Sequence, residues 1–201
     1  MPEIALPLST SIDLNSVVDE ASTLRSILRQ ATRGDHERLD RQLAACDLET
    51  LTGYRRFLEI NAAALLPLED ALVAGGVRDL LPDWDLRARA DAILTDLAAI
   101  DGDVEPLDGP HLESRFALLG TLYVLEGSRL GAAYLVRSAR RSADHRVRSA
   151  TAYLGHGAGQ GLWASFLTVL ESHAGELTDS GHLVEPARRA FDLFAEAVAQ
   201  R

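Results

Sequence analysis

Apolar positions recur at three- and four-residue intervals along most of the chain, the spacing of helices that bury one face. From about Val17 to Leu43 the apolar marks are Leu24, Ile27, Leu28, Ala31, Leu39 and Leu43. A second run carries Leu51, Tyr54, Phe57, Leu58, Asn61, Leu65 and Leu66. Asp47 is placed to cap it, Pro67 to kink or interrupt it, and Gly75-Gly76 to end it. Pro82 and Asp85 open a third helix, with Ile93, Leu94 and Leu97 facing inward. Asp101 to Gly109 reads as an acidic loop, and Pro110 suits a helix's first turn. Helices over Leu162 to about His173 and Glu185 to Ala199 close the chain. No stretch reads as a strand. The expected fold is all-α, a compact single-domain helical bundle of about seven to eight helices over residues 17–201, after a flexible lead-in at 1–16.

The stretch from Phe116 to Ala139 is different. Leu118, Leu119, Leu122, Val124, Leu125, Leu130, Ala133, Leu135 and Val136 surround the axis almost completely, which predicts a helix buried on all sides. Yet Gly120, Gly127 and Gly131 interrupt it, and each helix-interior glycine costs about 1 kcal/mol relative to alanine. Tyr123, Gly127 and Gly131 follow one another at four-residue steps and share a face. That face offers a phenol and then bare main chain, on which either a second helix or a flat ligand can lie.

Composition narrows the chemistry. A net charge of −10 and a pI near 5.0 argue against nucleic acid as a partner. Every basic residue is Arg, which excludes a protein Schiff base and a Walker-type phosphate loop. A single cysteine, Cys46, excludes an internal disulfide and a Cys-rich metal site, and fits a reducing cytosol. Met1 to Ser16 lacks the basic and apolar regions of a signal peptide, and no apolar run is long enough for a membrane span. The expected location is cytoplasmic, with no membrane partner. Gly155-His156-Gly157-Ala158-Gly159-Gln160-Gly161 imitates a dinucleotide loop but lacks the strand such a loop needs, so it reads as a flexible connection. The arginines at 137, 140, 141, 146 and 148 form either a solvated face or a docking surface. Glu69-Asp70 reads as helix surface, and Glu126–Arg129 as a structural ion pair.

Of six histidines, five (His111, His145, His156, His173 and His182) fall in patches, loops or polar ends and read as surface residues. His36 belongs to the first amphipathic helix, near its inner side with Thr32, Leu39 and Leu43. It is either a satisfied core residue or a ligand. Arg29 lies seven residues earlier, on nearly the same face and about 10.5 Å away along the axis. That separation suits a metal in a flat macrocycle at His36 with an anionic edge group at Arg29. Together with the glycine face, it suggests haem held between two helices. No HExxH or GxSxG motif competes.

The segments Leu28-Arg29-Gln30-Ala31-Thr32-Arg33-Gly34-Asp35-His36-Glu37-Arg38-Leu39-Asp40 and Tyr123-Val124-Leu125-Glu126-Gly127-Ser128-Arg129-Leu130-Gly131-Ala132-Ala133-Tyr134-Leu135 together resemble bacterial haem oxygenases. The likeness continues in Tyr153-Leu154-Gly155 and Trp163-Ala164-Ser165-Phe166, and spans about residues 24–195. It implies the haem oxygenase fold, with His36 as proximal iron ligand and the helix of Gly127, Ser128 and Gly131 as the catalytic distal wall. Arg29, Thr32 and Tyr123 become haem contacts, Arg29 and Tyr123 at the propionates. Ser128 departs from the animal-type pattern, which has Asp there. The implied activity is cleavage of haem (iron protoporphyrin IX), both cofactor and substrate, by O2 and electrons to biliverdin, CO and ferrous iron. The implied partners are an electron donor such as a ferredoxin or reductase, and a biliverdin-accepting photoreceptor if bilin supply rather than iron release is the purpose. The alternative is a non-catalytic haem carrier or sensor on the same fold.

Overall fold

The computed structural model describes residues 23–201. The expected lead-in at 1–16 and the expected first turns from 17 lie outside the described residues. The long helices are α1 (Leu24–Leu43), α2 (Leu51–Ala74), α4 (Ala90–Ala99), α5 (Arg115–Ala139), α8 (Leu162–Ser172) and α9 (Gly181–Ala199). The short helices α3 (Val77–Leu80), α6 (His145–Ser149) and α7 (Ala152–Gly155) turn the chain between them. No strand occurs among the described residues, so the all-α expectation holds.

The helix starts follow from side-chain chemistry. Thr23, Thr50 and Ser114 each accept a hydrogen bond from a backbone N–H three residues on, at 3.1, 3.2 and 3.1 Å. Thr50, not Asp47, therefore caps α2; Asp47 binds the Glu49 N–H in the turn before it. Likewise α5 begins after Ser114, and Pro110 lies in the preceding loop. α2 runs through Pro67 without ending. A proline cannot donate to the carbonyl four residues back, so the Ala63 carbonyl accepts from Leu107 N–H at 3.0 Å instead. The acidic loop thus satisfies the group that Pro67 leaves open.

α9 is the centre of the packing: it lies on α5, α1 and α2. Leu183, Ala187, Ala190, Phe191, Phe194 and Ala197 form its buried stripe. Gly120 explains how α5 comes so close, because a Cβ there would stand 2.2 Å from the Leu183 carbonyl oxygen. Two expectations of burial fail. Leu94 is exposed on α4, and α5 is not buried all round, since Leu130 and Tyr134 are 59% and 71% exposed. That bare patch begins where the second and third glycines sit.

Candidate functional site

α1 packs on α9 and α8, and its first N–H groups, at Leu24 and Arg25, bind the Glu171 carboxylate of α8 at 3.0 and 2.9 Å. Those two helices, rather than α5, carry its main packing. Between α1 and the C-terminal half of α5 lies a cleft of about 620 Å³, within the usual range for small-molecule pockets. Asp40 and Leu43 line it from α1, Gly131 and Tyr134 from α5, and Leu48 and Phe57 from its floor. A Cβ on Gly131 would meet nothing within 4 Å. A Cβ on Gly127 would touch the Trp163 ring at 3.6 Å, and Trp163 in turn lies 5.6 Å from the Tyr123 ring. The face of Tyr123, Gly127 and Gly131 therefore exists but is divided, walled by Trp163 at one end and bare at Gly131.

His36 is not on the inner side of α1, as its neighbours in sequence suggested. Its imidazole is 63% exposed and does not line the cleft. Nδ1 lies 3.1 Å from the Asp40 carboxylate, and Asp40 itself lines the cleft. The edge of Phe191 on α9 meets the ring at a centroid distance of 6.1 Å. Thr32 is 3% exposed and its hydroxyl donates to the Leu28 carbonyl at 2.8 Å. It is a packing residue of α1 rather than a lining one. Arg29 is exposed. Burial pushes the Tyr123 phenol up, and the charges of Arg25 and Arg29 oppose the shift, so both guanidiniums lie within electrostatic reach of Tyr123.

Behind α5 is a buried charge network that the sequence reading reduced to one ion pair. Glu126 and Arg87 are each 1% exposed and meet at 2.9 Å. Arg87 also forks onto Asp83, at 2.8 Å to each oxygen. Arg129 binds the other Glu126 oxygen at 2.8 Å and donates to the Arg87 carbonyl. Burial first, and then the charges of Arg89 and Arg87, lower the Arg129 pKa. Glu69 is no surface residue either. It is 4% exposed and accepts from the N–H groups of Arg89 and Ala90 at 2.8 and 3.0 Å. Burial nevertheless pushes its carboxyl up. His156, expected at the surface, is half-buried beside Arg129 Nη1 at 3.3 Å, and burial lowers its pKa. The arginine stretch after α5 is largely spoken for: Arg141 pairs with Glu49, Arg146 with Asp144, and Arg148 with two backbone carbonyls. The missed signal was a glutamate at position 126 among apolar neighbours, with Arg87 and Arg89 alternating just before a helix.

The comparisons with known proteins now bear on this arrangement. The family model described as Heme oxygenase matches residues 76–200. The chain belongs to the haem oxygenase family. It is accordingly a haem-degrading oxidoreductase. Among solved structures, this haem oxygenase is similar to the NO- and CO-bound heme oxygenase from Neisseria meningitidis, with 20% identity and a TM-score of 0.69 over 89% of this chain and 91% of that one. It is also similar to the heme oxygenase from Leptospira interrogans, with 20% identity and a TM-score of 0.65 over 89% of this chain and 100% of that one. No curated protein matches the sequence. The family match covers α5 and α9 but not α1, so the His36 segment rests on the fold and on its own geometry. No described helix is long and apolar enough to cross a membrane.

Proposed function

We propose that this chain cleaves haem with O2 and electrons, releasing biliverdin, CO and ferrous iron, with the ring seated in the cleft between α1 and α5. The observation that carries the reading is that one cleft holds both the carboxylate partner of His36 and the uncovered backbone of Gly131. The residues fit such a ring. Leu43, Leu48, Phe57 and Leu135 supply apolar walls, and Gly131 a cradle without a Cβ. Among the described residues no cluster of three or more His, Cys, Asp or Glu side chains is placed to hold a bare ion. A lone imidazole suits a metal that brings its other ligands in a macrocycle.

His36 would give its Nε2 lone pair to iron, with the Asp40 carboxylate 3.1 Å from Nδ1 to make the imidazole more basic. As a neutral ligand it lacks the electron push of a thiolate. Arg29 and Tyr123 would take the propionates, with Arg25 as a second charge acting on Tyr123. Asp47 and Glu49 line the cleft, and their charge disfavours a propionate beside them. Above the ring, Gly131 lets main chain come close, and the Ser128 proton is already given to the Leu125 carbonyl, which leaves water as the proton source. When bound, haem supplies the O2-activating iron and the carbon skeleton that is opened. Electrons come from an external donor of the ferredoxin or reductase class.

The exposure of His36 favours one rival, a carrier that hands haem on intact. Haemin titration separates the readings. The unaltered chain should develop a Soret band with 1:1 stoichiometry, and His36→Ala should lose or shift it. With a reductant and O2 the complex should then yield bilin absorbance. A stable Soret band without bilin would make the protein a carrier, and an identical spectrum in His36→Ala would remove His36 as the ligand.

A further inference from the structure

We propose that Arg89 is the positioning residue of the distal wall: its guanidinium locks the Leu125–Ser128 turn of α5 and fixes a positive charge beside the Gly127–Gly131 face. The proposal rests on the reading that haem lies in that cleft.

Arg89 precedes α4 and is 2% exposed. Its backbone N–H is gripped by both Glu69 oxygens, at 2.8 and 3.0 Å. Its guanidinium carbon lies 5.2 Å from the centre of the Tyr153 ring. Tyr153 is itself held through its hydroxyl to Asn61 Oδ1, at 3.2 Å. So anchored, the fork reaches α5 twice. Nη1 donates to Ser128 Oγ at 3.1 Å and Nη2 to the Leu125 carbonyl at 3.0 Å.

The consequence for Ser128 is specific. Its hydroxyl gives its one proton to the same Leu125 carbonyl, at 2.8 Å, so it has none left to offer a ligand. It stands about 60° around the helix from Gly131, given 100° per residue. There it can only accept. The Arg89 Nε–H, by contrast, is buried without a partner. The polar side of the distal wall thus hangs on Arg89, which holds Ser128 as an acceptor beside the Gly127–Gly131 face.

Two measurements on Arg89→Lys and Arg89→Gln test this. The first is hydrogen–deuterium exchange of the chain without haem. Arg89→Lys keeps charge and volume but cannot bridge two acceptors in a plane, so exchange over 125–131 should rise about threefold or more while α9 stays unchanged. The second is the pH at which the ferric haem complex passes from its acid to its alkaline spectrum. Loss of a nearby cation in Arg89→Gln should raise that pH by about half a unit or more, and Arg89→Lys should leave it in place. Unchanged exchange in Arg89→Lys overturns the positioning, and an unmoved transition in a folded Arg89→Gln overturns the charge. If Arg89→Gln does not fold, Arg89→Lys decides alone. Faster exchange with an unmoved transition supports the proposal, and a moved transition overturns it. Failure of the unaltered chain to bind haem would remove the underlying reading, a result visible before any variant is made.

Discussion

Gly120 and Gly131 lie on one helix, yet a methyl group added to each would meet opposite surroundings. At Gly120 it would press to 2.2 Å from the Leu183 carbonyl, and at Gly131 it would find open space. The N-terminal half of α5 uses its missing side chain to let α9 cross at close range. The C-terminal half leaves main chain facing a cleft beside Leu130 and Tyr134, which are largely exposed. Between the halves sits Glu126, tied into a buried cluster with Arg87 and Arg129. The difference teaches that a glycine-rich helix is two devices joined end to end. One half is fixed by packing and one is left open on a cleft, with charges clamping the junction.

The clamp should give the largest effect. Arg87→Met leaves Glu126 and Asp83 without their buried partner, and breaking such a pair costs about 3–5 kcal/mol. Urea denaturation should show that loss, and a change below about 1 kcal/mol would make the cluster ornamental. Gly120→Ala comes next, with about 2–3 kcal/mol lost to overpacking against α9. Gly131→Ala is its counterpart and should go the other way, stabilising the ligand-free chain by up to about 1 kcal/mol through helix propensity while weakening haem affinity. Equal effects at the two glycines would erase the contrast. The smallest effect lies just past α5. Arg146 beside Asp144 holds its carboxyl down to about 2, below the unfolded value of about 3.9. A depressed acid contributes stability that is full above the unfolded value and lost as pH falls through the folded one. The urea midpoint should therefore drop between about pH 4 and pH 2, and Asp144→Asn should flatten that drop.

The helices were legible because their apolar spacing is regular. α2, α5, α8 and α9 appear where periodicity put them and α1 does so over its described residues, but the third helix starts at Ala90 rather than at Pro82 and Asp85, where a single 3-10 turn lies instead. Their ends were less so, because Asp47 and Thr50 are both good caps and only backbone geometry chooses between them. Pro67 misled because its repair comes from Leu107, far along the chain. The motif around His36 and the glycines could be read as residues, but not the side of the helix the imidazole takes, which is set by Phe191 and Asp40. Glu69, Arg87 and Arg89 were invisible as a group, since charged residues near helix ends ordinarily face water. Nothing local says that these three do not.

α1 is fastened to α9 through Arg38–Asp192 at 3.0 Å and Arg188 to the Ala31 carbonyl at 3.1 Å, and to α8 through Glu171, while its packing on α5 is slight. A ring seated in that gap would act as mortar between two bricks that otherwise meet little. Its binding free energy would then add to folding stability by mass action. An enzyme built this way destroys, at each turnover, the very piece that braces its own wall.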